Sequence, residues 1–193
     1  MSAENVKFFL VSRIGMKRMV KNNLTGYHGT TLLRAEKILD GHSFIKSKKK
    51  TEWLGAGIYF FPDIANAIWW AHNASKRCND KPAVLSVQLR YFDFQMLDLD
   101  KPEDLCKLSH CVQDFLKALA KEGEIVPDFS ASEIPKLWCF SCNIYKKKNP
   151  QIKLIAYTFE TPQETYTGFK YKQRQFCSTD NTIISRICKE AIK

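Results

Sequence analysis

The sequence predicts an α+β fold from three observations. Two runs read as strands, Ala83 to Leu89, which alternates apolar and polar residues, and Ile152 to Phe159. Between them, Leu105, Leu108, Val112, Phe115, Leu116 and Leu119 recur at the three- and four-residue spacing of a long amphipathic helix over Pro102 to Glu122. Further strands gather toward the two ends of the chain instead of alternating regularly with helices, giving roughly six strands and four or five helices, which is the α+β pattern and not a doubly wound one. The 193 residues are 45% hydrophobic, with 13 Phe, 7 Tyr and 4 Trp, enough apolar area to offset the entropy of ordering the chain. Residues 1–193 are expected to form one domain.

Taken in order, Val6 to Val11 reads as a strand, and Gly15 to Asn23 as a turn with a short helix or strand. Leu24 to Thr30 is extended. Leu32, Ala35, Ile38 and Leu39 form a helical stripe over Thr31 to Asp40, with Gly41 placed to cap it. Residues 42 to 53 are polar and basic, a surface loop. Gly55-Ala56-Gly57 leads into a short strand at Ile58 to Phe61, and Pro62-Asp63 opens a helix with Ile64, Ala67, Ile68 and Ala71 on one side. Phe92 to Leu99 continues the strand at Ala83 as extended chain. Ile134 to Tyr145 has helical spacing, Tyr171 to Cys177 reads as a strand, and Ile183, Ile184, Ile187, Cys188 and Ala191 suggest a short terminal helix.

The formal charge is +10, with lysines clustered at Lys46 and Lys48 to Lys50, at Lys146 to Lys148, and at Lys170, Lys172 and Arg174. Such a field attracts a polyanion, a phosphate-bearing cofactor or an acidic protein without choosing among them. No stretch approaches the roughly 20 apolar residues of a membrane span, so no membrane partner is expected. Met1 to Leu10 has neither a basic lead nor a small-residue cleavage site. Seven cysteines without framework spacing point to a reducing compartment, the cytoplasm. Cys139 and Cys142 lack a second ligand pair at zinc-site spacing and read as packed thiols, so no metal is expected. Neither a glycine-rich dinucleotide fingerprint nor a Walker motif occurs.

Of the four histidines, His28 stands out, because it lies between Tyr27 and Gly29 at a strand end, where its ring can be aimed at a ligand and the glycine lets that ligand approach the backbone. The tetrad YHGT at 27 to 30, GAGIYF at 55 to 60, and Trp70 eleven residues beyond Tyr59 resemble, in this order, the core of the ADP-ribosyltransferase superfamily. The closest likeness is to the poly(ADP-ribose) polymerase-like branch that includes bacterial toxins. The likeness covers residues 24 to 72 well and the remainder loosely. It implies a split, mixed two-sheet core flanked by helices, with NAD as the bound cofactor. It also implies that His28 bonds the ribose on the adenosine side, that Gly29 and Thr30 lie along the nicotinamide, and that Gly55 and Gly57 permit a tight turn beside the cofactor. Tyr59 and Trp70 would sandwich the pyridinium ring, an arrangement that favours a flat cation.

Two positions depart from the family. Ala67 stands where a serine contacts the carboxamide. The catalytic glutamate expected on a late strand is missing from Tyr171 to Cys177, where Gln173, Arg174 and Gln175 occupy its place. Gln173 or Gln175 is therefore a candidate for the catalytic position, as a natural replacement or an attenuated glutamate-to-glutamine form, and Glu160 or Glu164 on the neighbouring strand is the alternative source of the acid. The resemblance implies a mono-ADP-ribosyltransferase, of toxin type, acting on a macromolecular acceptor, nucleic acid or protein, and open to restraint by an antitoxin or immunity protein; the clustered lysines tilt the choice slightly toward nucleic acid. The alternatives are an NAD-dependent RNA 2'-phosphotransferase and a non-catalytic module that binds NAD or ADP-ribose.

Overall fold

A computed structural model describes residues 20–164, 166–168 and 170–192. The strand expected at Val6 to Val11 and the start of the Gly15 to Asn23 segment lie outside these residues. The described elements are β1 (Lys21–Thr31), α1 (Leu32–Gly41), β2 (Ile58–Phe60), α2 (Ile64–Cys78), β3 (Pro82–Phe92), β4 (Met96–Asp98), α3 (Pro102–Lys121), α4 (Ile134–Lys148), β5 (Leu154–Glu164), β6 (Lys170–Ser178) and β7 (Ile184–Glu190). The protein is thus mixed α+β with two sheets, one ordered β1-β3-β7 and the other β2-β6-β5-β4. Within the second sheet β4 runs parallel to β5 and the other pairings are antiparallel. Among the described residues no helix is long and apolar enough to cross a membrane.

The helices start and stop for local reasons. The Asp63 carboxylate accepts from the Ala65 amide at 2.9 Å and caps α2, whose far end turns off at Asn79 in the left-handed region, a conformation asparagine tolerates. Pro102 opens α3, with Glu103 and Asp104 in its first turn favouring the positive end of the helix dipole. The first helix does not stop as expected: α1 runs through Gly41, and His42, at φ 47°, makes the left-handed exit that Gly41 was expected to make.

Three apolar clusters join these layers. The facing sides of the two sheets, with Leu85, Leu89, Phe60, Leu154 and Phe176, close around Ala35 and Ile38 of α1. The opposite side of the second sheet is covered by α3 and α4 through Leu108, Val112, Cys142 and Tyr145. A smaller cluster beneath α2 holds Phe61, Ala67, Ala71 and Val84.

Two expectations are corrected. The segment Ile183 to Ala191 is not a helix but strand β7, paired antiparallel with β3. Its register shifts between Ser86 and Gln88, where Arg186 sits at φ 52°. This bulge inserts an extra residue and breaks the two-residue alternation, so Ile184 and Ile187, three apart, both pack on the core and imitate helical spacing. The continuous extension over Phe92 to Leu99 is interrupted by a 3-10 turn at Asp93–Gln95, where the Gln95 side chain accepts from the Phe92 amide at 3.0 Å. The chain then re-enters the other sheet as β4.

Candidate functional site

The two sheets meet where β1 runs beside β2. Tyr27 and Phe61 exchange both backbone bonds, each at 2.8 Å, and beyond this pair the strands part. His28 sits at the parting point. Its Nδ1 lies 2.8 Å from the Tyr59 carbonyl oxygen, and since a carbonyl only accepts, Nδ1 carries the proton and donates. The other ring nitrogen, Nε2, is then a lone-pair acceptor. Burial pushes the His28 pKa below its ordinary value, with the Tyr59 bond opposing and the nearby Arg34 charge reinforcing the shift, so the ring stays neutral. Phe44 and Phe60 hold it edge-on and tilted, at centroid distances of 5.2 and 5.8 Å. Thr30 is buried on the same face of β1.

Gly29 contributes its backbone. In an antiparallel ladder both polar groups of alternate residues point to one edge. Tyr27 uses that edge toward β2, while Leu32, on the opposite parity, donates to Lys81 on the β3 side. Gly29 therefore turns its N–H and C=O into the gap that β2 has left. A side chain here is excluded by α2: a Cβ would lie 2.1 Å from the Ala67 carbonyl oxygen and 2.9 Å from the Ala71 nitrogen.

Tyr59 is half-buried, its hydroxyl donating to the Gly55 carbonyl at 2.7 Å and accepting from the Leu54 amide at 3.0 Å. Burial, reinforced by Cys177, holds this phenol protonated well above its usual range. Tyr59 pairs with Cys177, so both side chains share one face of the second sheet, and Gln175 and Gln173 follow on that face at two-residue steps. The amides form a relay: Gln175 donates to Gln173 at 3.0 Å, and Gln173 donates to Asn66 on α2 at 3.1 Å. Trp70 lies one turn beyond Asn66 on the same face of α2, 41% exposed, with the Arg77 guanidinium 5.7 Å from its ring centre. Among the described residues no ring contact joins Trp70 to Tyr59.

The structure thus places His28 and Gly29 at the seam, with the Tyr59 carbonyl on the His28 ring, while the side chains of Tyr59, Gln173 and Gln175 lie on the face of the second sheet that α3 and α4 cover and reach α2 through Asn66. Other candidates fall elsewhere. Glu160 is exposed, pairs with Lys170 at 3.9 Å, and projects from the opposite face of the sheet to Gln173 and Gln175. Arg174 shares that opposite face, where it grips Asp98 at 3.0 Å and Asp100. Burial alone would raise the Asp100 pKa, but bonds from Thr158 and Arg174 outweigh it and hold the carboxyl below its ordinary value. Gly57 is explained by packing: a Cβ there would lie 2.3 Å from Cys177 Sγ and 2.6 Å from the Ser178 carbonyl oxygen.

Sequence reasoning missed the residues that hold the glycine loop. Asn143 accepts from the Ala56 amide at 2.8 Å, and Lys146 turns inward, donating to the carbonyls of Leu54 and Ala56 at 2.7 and 2.8 Å. Lys146 is therefore not part of a solvated patch with Lys147 and Lys148. The three-residue spacing of Asn143 and Lys146 on one helical face was the available signal. Cys139 and Cys142 are buried, and burial raises the Cys142 pKa to about 12.

Over 83 residues the chain is 31% identical to an uncharacterized protein of Methanocaldococcus jannaschii, a stretch that makes up 42% of this chain and 39% of that protein. The chain thus matches about two fifths of the length of this relative. No family model matches the chain, and no solved structure matches it.

Proposed function

We propose that the protein is an ADP-ribosyltransferase-like enzyme that binds NAD at the seam of the two sheets and transfers its ADP-ribose to a macromolecular acceptor. The observation that carries this reading is the pair His28 and Gly29: a neutral imidazole with its Nδ1 bonded to the Tyr59 carbonyl, next to a glycine that α2 closes to any side chain and whose N–H and C=O, by the strand parity that Tyr27 sets, face away from β3. A primary carboxamide has one donor face and one acceptor face, so it fits the Gly29 backbone as a two-bond pair. A ribose hydroxyl fits Nε2 of His28. NAD, once bound, supplies a glycosidic bond whose leaving group is neutral nicotinamide. The transfer breaks that bond at C1′ and forms one from C1′ to an acceptor oxygen or nitrogen, whose proton passes to water.

The protein's own residues act by position and charge. Tyr59, with its hydroxyl tied at both ends, offers a fixed aromatic wall, and Trp70 supplies a second ring on α2. The Gln173–Gln175 relay presents amide oxygens where positive charge grows on the sugar, in the manner of preorganised dipoles, although weaker than a carboxylate. Glu160, on the far face, is not the substitute for the missing acid in this reading.

Incubation with radiolabelled NAD, alone and with RNA, DNA or cell lysate, tests the proposal. Label on a macromolecule supports transfer. Loss of a 2'-phosphate from RNA would instead favour the phosphotransferase, and NAD binding without turnover a binding module. Gln175→Glu restores a carboxylate in the relay and is expected to raise NAD cleavage by on the order of 10²-fold. No change in that variant, with fold intact by circular dichroism, would remove Gln175 from the catalytic position.

A further inference from the structure

On the face of the second sheet that carries Tyr59 and Gln175, α3 and α4 stand apart over a cavity of about 290 Å³. Its floor is Tyr157 and Phe159 of β5, and Trp53 and Trp138 stand at its sides. The four rings pack as one cluster: Trp53 and Phe159 are 4.5 Å apart between centroids, Trp138 and Phe159 5.5 Å, Tyr157 and Phe159 4.8 Å. Ser109, Ser141 and Gln113 add polar groups to a mostly apolar wall. Trp138 is 38% exposed, so the cluster is open to solvent on the α4 side.

The loop along one side of the cavity is basic. The loop that ends in Trp53 carries Lys48, Lys49 and Lys50, all exposed. This loop lies against α4, because the thiol of Cys139, the residue after Trp138, donates to the Lys49 carbonyl at 3.5 Å. The acid in the same loop, Glu52, is turned onto the Ser47 hydroxyl. Aromatic faces next to free lysines exclude a cationic ligand, which the lysines and the overall charge of +10 would repel. They suit a flat neutral ring attached to a phosphate chain. The floor is also one strand from the glutamine relay, since Tyr157 pairs with Gln175 and Phe159 with Gln173.

We infer that this cavity takes an unpaired base of a single-stranded nucleic acid, stacked on the exposed ring of Trp138 above the buried Phe159 floor, while Lys48 to Lys50 follow its phosphates. A base inside a duplex is already stacked and cannot enter. As the identity of the acceptor, this rests on the ADP-ribosyl transfer proposed above; as a binding site it does not.

The test is fluorescence anisotropy with short oligonucleotides of one mixed sequence, as single-stranded RNA, single-stranded DNA, duplex, and an abasic strand with the same number of phosphates, all without NAD. Single strands are expected to bind at least tenfold more tightly than the duplex or the abasic strand and to quench tryptophan emission. Whichever single strand binds more tightly identifies the nucleic acid class. Trp138→Ala is expected to weaken single-strand binding about tenfold with the salt slope unchanged, the loss of roughly one stacked base. Replacing Lys48, Lys49 and Lys50 by alanine is expected to flatten the salt slope. Equal affinity for the abasic strand and the intact strand, or for duplex and single strand, overturns the inference whatever Trp138→Ala does. NAD cleavage, measured separately without nucleic acid, tells the two proposals apart: base-dependent binding without cleavage leaves the cavity standing and removes the enzyme, and cleavage without base-dependent binding does the reverse.

Discussion

Burial drives the imidazole of His28 toward its neutral form, and the Tyr59 carbonyl decides which nitrogen keeps the proton. The folded-state pKa lies below the unfolded value of 6.5, so as pH falls the unfolded chain takes up this proton before the folded one does. The stabilisation is complete above 6.5 and drains away as pH falls toward the folded value. Urea unfolding at neutral and mildly acidic pH should therefore show His28→Gln losing less stability on acidification than the natural chain; equal losses would mean that the imidazole does not resist protonation. NAD cleavage is expected to stay level through pH 6.5 and to fall only on its acid side. The candidate residues read from the sequence lie in short local patterns, His28 and Gly29 in one tetrad, Tyr59 in one hexad, and Gln173 and Gln175 at alternate positions of one strand. Asn66 was not readable, and the spacing of Asn143 and Lys146 gave only a shared helical face, because their partners, Gln173, Ala56 and Leu54, are 107, 87 and 92 residues away and meet them only after packing.

Between elements, the contact of β1 with α2 sets the tightest constraint. Ala67 and Ala71, both without exposure, let the helix backbone come down onto Gly29, so adding one methyl at Gly29 meets main chain and not a movable side chain. Gly29→Ala is expected to cost about 3 kcal/mol, the upper part of the range for overpacking, as a fall in the urea midpoint with little change in slope. A loss under about 0.5 kcal/mol would show that α2 can lift from the sheet freely. Element types followed the sequence where the spacing had one cause, as in α3 and β3. They failed at β7, where the bulge at Arg186 put two isoleucines three apart on a strand, a pattern that single-sequence periodicity assigns to a helix.

At the scale of the whole molecule, the α+β class was legible because strand runs and helical stripes differ in period, and two sheets followed from the resemblance alone, whereas which strands share a sheet was not legible, since pairing depends on partners far apart in the chain. The aromatic cavity was missed for the same reason: Trp53, Trp138 and Phe159 come from a loop, a helix and a strand with no shared spacing. The Tyr27–Phe61 pair ties the backbones of the two sheets by two bonds, and the candidate cleft opens at its edge. Anything that spans the cleft works as a stitch beside a short seam. Deuterium should then enter the Tyr27 and Phe61 amides more slowly when NAD is present, while the amides in the middle of α3, remote from the seam, keep their pace.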